Sequence, residues 1–134
     1  MATIEAAIVA AVTGDAGMAV LIGDRLIPDG AAQEMAYPYV TYQRITTQSA
    51  THLDGDGNLD WPRFQFDCWA KTAIEALTIA EALRTFLCPK PAADRTGAGL
   101  FFSATFQDQR GPTRDEETRN FGCSSDFFIW YERT

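Results

Sequence analysis

Phe64, Phe66, Cys68 and Ala70 alternate with Arg63, Gln65, Asp67 and Trp69, and just beyond them the apolar spacing changes. Ala76, Ile79, Ala80, Leu83, Phe86 and Leu87 fall at i, i+3, i+4, i+7, i+10 and i+11, opposite Glu75, Thr78, Glu81 and Thr85. The first pattern is a strand with one buried face and the second is a helix with one apolar stripe. The helical period runs from Thr72 to Leu87, so only Lys71 stands between them and strand and helix must share a core. Pro89 and Pro91 end the helix.

Other elements arrange themselves around this pair. Thr3 is placed to cap a first helix whose apolar face is Ile4, Ile8, Ala11 and Val12, and Gly14 with Asp15 breaks it. A short second helix over Ala16–Ile22 ends at Gly23, and 24–36, with Pro28 and Gly30, reads as a loop. Tyr37–Ile45 is aromatic and β-branched and reads as the first strand. The polar stretch 46–60 holds Asp54-Gly55-Asp56-Gly57-Asn58, a turn signal at the tip of a long hairpin arm. A loop over 92–99 precedes a third strand in which Leu100, Phe102, Ala104 and Phe106 alternate with Phe101, Ser103, Thr105 and Gln107. The charged run 108–118 reads as a solvated connection to a last strand over 119–131. This order predicts an α+β fold, an antiparallel sheet of about four strands with helices packed on one face, in a single domain spanning 1–134.

Charge and chemistry narrow the function. The chain has 134 residues, 11 basic against 18 acidic, a net charge of −7, and only two lysines, Lys71 and Lys90. Nucleic-acid grips neutralise phosphate with Lys and Arg, so this balance argues against one. The opening stretch has no basic start and no long apolar run, which predicts neither a signal peptide nor a membrane span and a cytoplasmic origin. Cys68, Cys88 and Cys123 lack C-x-x-C spacing and read as reduced, buried thiols. With one histidine in the chain, His52, the sequence argues against a zinc site, and a hydrolase built around His52 and the Asp cluster is the weakest reading, since only Ser49 and Thr51 stand near it as nucleophiles. Asp54, Asp56, Asn58 and Asp60 invite a calcium-loop comparison, but Leu59 and Gln65 stand where its glycine and bidentate glutamate belong. No phosphate-binding glycine motif is present. The expectation is a protein with no metal, no cofactor and no enzymatic activity.

Trp61, Trp69 and Trp130, with Phe101 and Phe128, fall on strand faces opposite the core pattern. Such aromatics are covered either by a second layer or by a partner. A sheet of this kind also leaves two edges that an assembly can close by strand pairing. Surface features alone suit a monomeric or dimeric binding module using its aromatic sheet face.

Arg25-Leu26-Ile27-Pro28, the strand Tyr37-Pro38-Tyr39-Val40-Thr41-Tyr42, the glycine-rich arm, Arg63-Phe64-Gln65-Phe66-Asp67 with Trp69-Ala70, and the helix from Glu75-Ala76 occur in an order that resembles the tail-completion, or tail-terminator, proteins of long-tailed phages. The resemblance covers about residues 4 to 87 and extends to related parts of gene transfer agents. It implies a virion protein located at the head-proximal end of the tail and made in the host cytoplasm. Its partners would be five further copies in a homo-hexameric ring, the tail tube protein, and the head-tail connector or stopper protein. DNA would pass through the lumen without specific binding, and no membrane is involved. By position, the arm at 46–60 with Leu53 and Leu59 is assigned to subunit or tube contacts, and Arg63, Gln65 and Asp67 to polar pairing across strands or subunits. Trp61, Trp69 and Trp130 complete the candidate interface.

Overall fold

Thr3 and Asp15 each start a helix by accepting a backbone N–H on a side-chain oxygen, from Ala6 at 3.1 Å and from Met18 at 3.0 Å. These caps open α1 (Ile4–Thr13) and α2 (Ala16–Ile22), and Gly23, at φ 61°, closes α2 in a region that favours glycine. Thr72 caps α3 (Ala73–Leu87) in the same way through the Glu75 N–H at 3.2 Å. The computed structural model of the chain describes residues 3–30, 36–52, 55–88, 95–97 and 100–132.

The strands are β1 (Leu26–Pro28), β2 (Tyr39–Thr46), β3 (Ser49–His52), β4 (Gly55–Asp60), β5 (Arg63–Ala70), β6 (Arg95–Gly97), β7 (Leu100–Arg114) and β8 (Phe121–Glu132). Across the body the sheet runs β1-β2-β5-β8-β7-β6, antiparallel except for the parallel β1–β2 pair. β3 and β4 prolong the β2–β5 hairpin as an arm, and β4 meets β8 through Leu59↔Glu132 and Asp60↔Tyr131. The register between Asp60↔Tyr131 and Arg63↔Phe128 is unbroken. β4 and β5 are therefore one strand interrupted at Trp61-Pro62, where Ile129 N–H donates to the Pro62 carbonyl at 3.0 Å and Trp61 N–H to the Gln48 carbonyl at 2.8 Å.

Six strands across the body replace the expected four. β1 and β6 lie in segments read as loops, being too short for any period to show. The run 108–118 is also corrected: β7 continues to Arg114, with register shifts near Gln107 and at Gly111-Pro112, so much of this charged segment is sheet. Residues 55–58 of the glycine-rich turn signal fall within β4, where His52 pairs with Gly55, and Asp54 lies outside the described residues. Backbone pairing tolerates Gly55 and Gly57 there despite their low strand propensity.

One cluster of buried side chains joins the helices to the sheet. It includes Ile4, Ile8, Met18 and Ile22 from α1 and α2, Ile79, Leu83 and Leu87 from α3, and Phe64, Phe66 and Phe127 from the strands. α3 lies against β5, β7 and β8. Phe66 meets Phe127 edge-on at 5.7 Å between ring centroids, and Arg84 sits 3.8 Å over the Phe106 ring. Cys68 and Cys123 are opposite each other, buried and unbridged, and burial raises both thiol pKa values. Among the described residues no single helix is long and apolar enough to cross a membrane, and α1 and α2 meet at 87°.

Phe66 has no exposed surface and contacts rings on two sides. Phe66→Ala is expected to destabilise the fold by about 3–5 kcal/mol, read as a lower midpoint in urea unfolding.

Candidate functional site

The face of β5 opposite the core carries Arg63, Gln65, Asp67 and Trp69, because side chains alternate along a strand. Strand register extends this face into rows. Tyr39, Trp69, Gly122 and Thr113 form one row; Thr41, Asp67, Ser124 and Arg110 the next; Gln43, Gln65, Asp126 and Asp108 a third. Arg63, Phe128 and Thr105 follow, and Trp130 beside Ser103 ends the series.

Asp126 organises the centre. Its carboxylate is 4% exposed and accepts from Arg63 Nε at 2.9 Å and from Arg110 Nη2 at 2.9 Å, while Arg110 Nη1 holds Asp108 at 2.7 Å. The two guanidinium groups are 37% and 49% exposed, so each pair by itself contributes little. Removing both would leave a buried carboxylate unpaired, which costs about 3–5 kcal/mol. The Arg110 pKa is raised, first by its bond to Asp126. Beside this group Ser124 donates to Asp67, and Gln65 Nε2 reaches the same carboxylate at 3.1 Å.

Aromatic packing marks both ends of the face. A Cβ built on Gly122 would lie 2.7 Å from the Trp69 ring, so the indole lies across the glycine and needs that bare backbone. Trp69, Arg110, Arg114 and Asp115 border a shallow depression of about 300 Å³. At the opposite end Trp61 and Trp130 stack at 5.0 Å with 24° between planes, and Trp130 Nε1 donates to Thr105 at 3.2 Å. Nearby, Asp60, 4% exposed, accepts from Ser49 at 2.5 Å and from Tyr131 at 3.4 Å. These contacts fix the base of the arm.

Of the residues singled out in the sequence, Arg63, Gln65, Asp67 and Trp69 share one face, and Trp61 meets Trp130 at the arm base. Leu59 is 36% exposed on the arm, and Leu53 lies outside the described residues. All three tryptophans are at least half covered by their own chain, and the Arg63 and Asp67 partners are intramolecular. Asp126, Arg110 and Ser124 were not singled out, although Asp126 is the one charged residue between Phe121 and Tyr131. Among the described residues no group of three metal-ligating side chains occurs.

Tyr39, opposite Trp69, has its phenol pushed up from 10.0 to about 12, first by burial, then by a hydrogen bond with Tyr37 and the nearby charges of Tyr37 and Asp115. The folded state favours the neutral phenol, so this stability is present below pH 10 and lost as pH rises through about 12. Burial also raises the phenol pKa values of Tyr42 and Tyr131, so ultraviolet titration is expected to show several late-ionising tyrosines, of which Tyr39→Phe removes one, with a smaller loss of stability over that window.

No curated protein matches the sequence. A chain in a structure described as "Virion of native gene transfer agent (GTA) particle" shares the fold, with TM-score 0.76, 20% identity, and alignment over 96% of this chain and 94% of that one. The family model of tail completion protein gp17 matches residues 6–132, which hold every described strand and all of the helices except Ile4 and Glu5 of α1. The chain thus belongs to the tail completion protein gp17 family and is a structural component of a virion tail.

Proposed function

We propose that the protein forms a homo-hexameric ring that caps the head-proximal end of the tail tube, stops tube polymerisation and joins the tail to the head connector or stopper protein. The observation that carries this reading beyond family membership is the arm. β3 and β4 extend past the body of the sheet, meet it through Leu59 and Asp60, and are held at the base by the Trp61–Trp130 stack and Asp60. An isolated two-stranded hairpin is marginal in water, and a projecting one gains stability when another surface covers it. Subunit or tube contacts through the arm, with Leu53 and Leu59, supply that cover. In this arrangement the single domain packs its three helices on one sheet face, and the face around Arg63, Gln65, Asp67, Trp69 and Trp130 turns to neighbouring proteins.

Termination is geometric. The ring covers the growing end of the tube, so the next tube subunit finds no complementary surface, and the opposite ring face receives the connector. No covalent chemistry and no cofactor is required. Six copies at −7 carry −42, and a lumen lined by part of that charge repels DNA phosphate, so the genome slides without sticking. The particle is a phage or a gene transfer agent, as in the structural neighbour.

Native mass spectrometry is expected to find an assembly of six times 14.8 kDa, alone or once tube protein is added. A monomer or dimer under both conditions would favour the binding-module reading and overturn the ring. In a mobility-shift assay no DNA binding is expected at about 150 mM salt; a shift that persists there would refute an acidic, non-adhesive lumen.

A further inference from the structure

The sheet ends in two edges, and on each of them part of a strand has no neighbour among the described strands. β6 meets β7 only at 100–102, so β7 from Ser103 onward pairs with β8 alone. On the other side β1 meets β2 only as far as Tyr42, and β3 pairs with β4 alone. The ladder fixes which backbone groups face these open edges. Ile129 N–H donates to the Pro62 carbonyl, so Phe128, Asp126 and Ser124 turn their backbone groups to β7, and Thr105, Asp108 and Arg110 turn theirs back to β8. Ala104 and Phe106 therefore point outward, and Cys88 Sγ donates to the Ala104 carbonyl from that side at 3.3 Å. In the arm, the Trp61 N–H on the Gln48 carbonyl and the pair His52↔Gly55 turn Gln48 and His52 toward β4, which leaves Ser49 and Thr51 facing out.

Open edges are normally blunted by shortness, by charge or by proline. β1 and β6 are three residues each, and the far part of β7 carries Asp108, Arg110 and Pro112. The stretches 103–107 and 45–52 carry no proline and no formal charge, so both are left fit to take a further strand. Direction then selects the strand. β2 with β3, β5 with β4, β8 and β7 are successive antiparallel strands, and their even number makes the two open edges run in opposite senses. A second copy set beside the first in the same orientation therefore brings an antiparallel partner to the open edge.

We infer that the 45–52 edge of one copy pairs through its backbone with the 103–107 edge of the next, so that one antiparallel sheet continues from copy to copy. Two like edges can meet only across a two-fold axis, which closes a dimer and leaves the other edge bare, whereas unlike edges propagate until a ring closes. This inference rests on the ring proposed above and names the contact that builds it.

Amide hydrogen exchange on the wild-type protein reads this contact directly. The amides of Ala104 and Phe106 on β7 and of Ser49 and Thr51 on β3 should exchange fast in the dissociated chain and slowly in rings. Fast exchange in rings at both edges, or protection of one edge without the other, would overturn the contact and leave the ring itself standing. Absence of rings from the wild type, with and without tube protein, would overturn both. Ala104→Pro and Thr51→Pro each remove one outward N–H, a place where a strand tolerates proline, so each should melt near the wild type and give no rings in native mass spectrometry. Rings from either variant would also overturn the contact. If a variant melts early, the exchange measurement on the wild type decides.

Discussion

Every strand of the body takes its place from β8, which is hydrogen-bonded on both edges. One edge holds β7 from Phe102↔Tyr131 to Arg114↔Phe121, and the other holds β5 and then β4. Cys123, Phe127 and Ile129 enter the core from one side of this strand, while Ser124, Asp126, Phe128 and Trp130 meet the outer rows. A one-residue slip would exchange the two sets, sending Asp126 toward Phe66 and Phe127 into water, so the register is strongly specified. The α3 stripe of Ile79, Leu83 and Leu87 depends on the same choice, because it packs on the apolar side that this register presents.

The sequence was most informative where one face is buried over several residues. Helices α1, α2 and α3 and strand β5 follow from breaks and periods, and Thr3 caps α1 as expected; Asp15, read as a breaker, and Thr72 prove to be caps as well. β1 and β6 span three residues each, too few for a period, and exist because β2 and β7 offer edges to pair with. β7 beyond Gln107 was hidden because its inward positions are polar and its ladder is broken at Gly111-Pro112. Backbone pairing, not side-chain burial, holds Gln109, Arg110 and Thr113 in the sheet. For the same reason Gly55 and Asp56, which composition places in a bend, are strand residues: β3 supplies their partners.

The candidate surface was legible in outline and misread in detail. Alternation placed Arg63, Gln65, Asp67 and Trp69 together, but it could not show that Asp126 on β8 lies between Arg63 on β5 and Arg110 on β7 and draws both guanidinium groups onto itself. Nor could it distinguish an aromatic held for a partner from one closing over its own backbone. Trp69 covers Gly122, and Trp61 covers Trp130, so both rings shape the surface before any partner arrives.

That self-satisfaction has an energetic consequence for assembly. Association loses translational and rotational freedom and pays again for every side chain or loop that must be ordered on contact. Here the charged rows are already paired, and the arm inherits its direction from an uninterrupted register through Trp61-Pro62, clamped by the indole stack and by Ser49 and Tyr131 on Asp60. Pro62 adds to this by fixing its own backbone angle at the only break between β4 and β5. An arm built this way presents its strands in a set orientation, so little of the contact energy is lost to ordering it. For the ring proposed above, such stiffness is what a part meeting a symmetrical neighbour at one angle needs, since an angle that varied from copy to copy would leave the ring open.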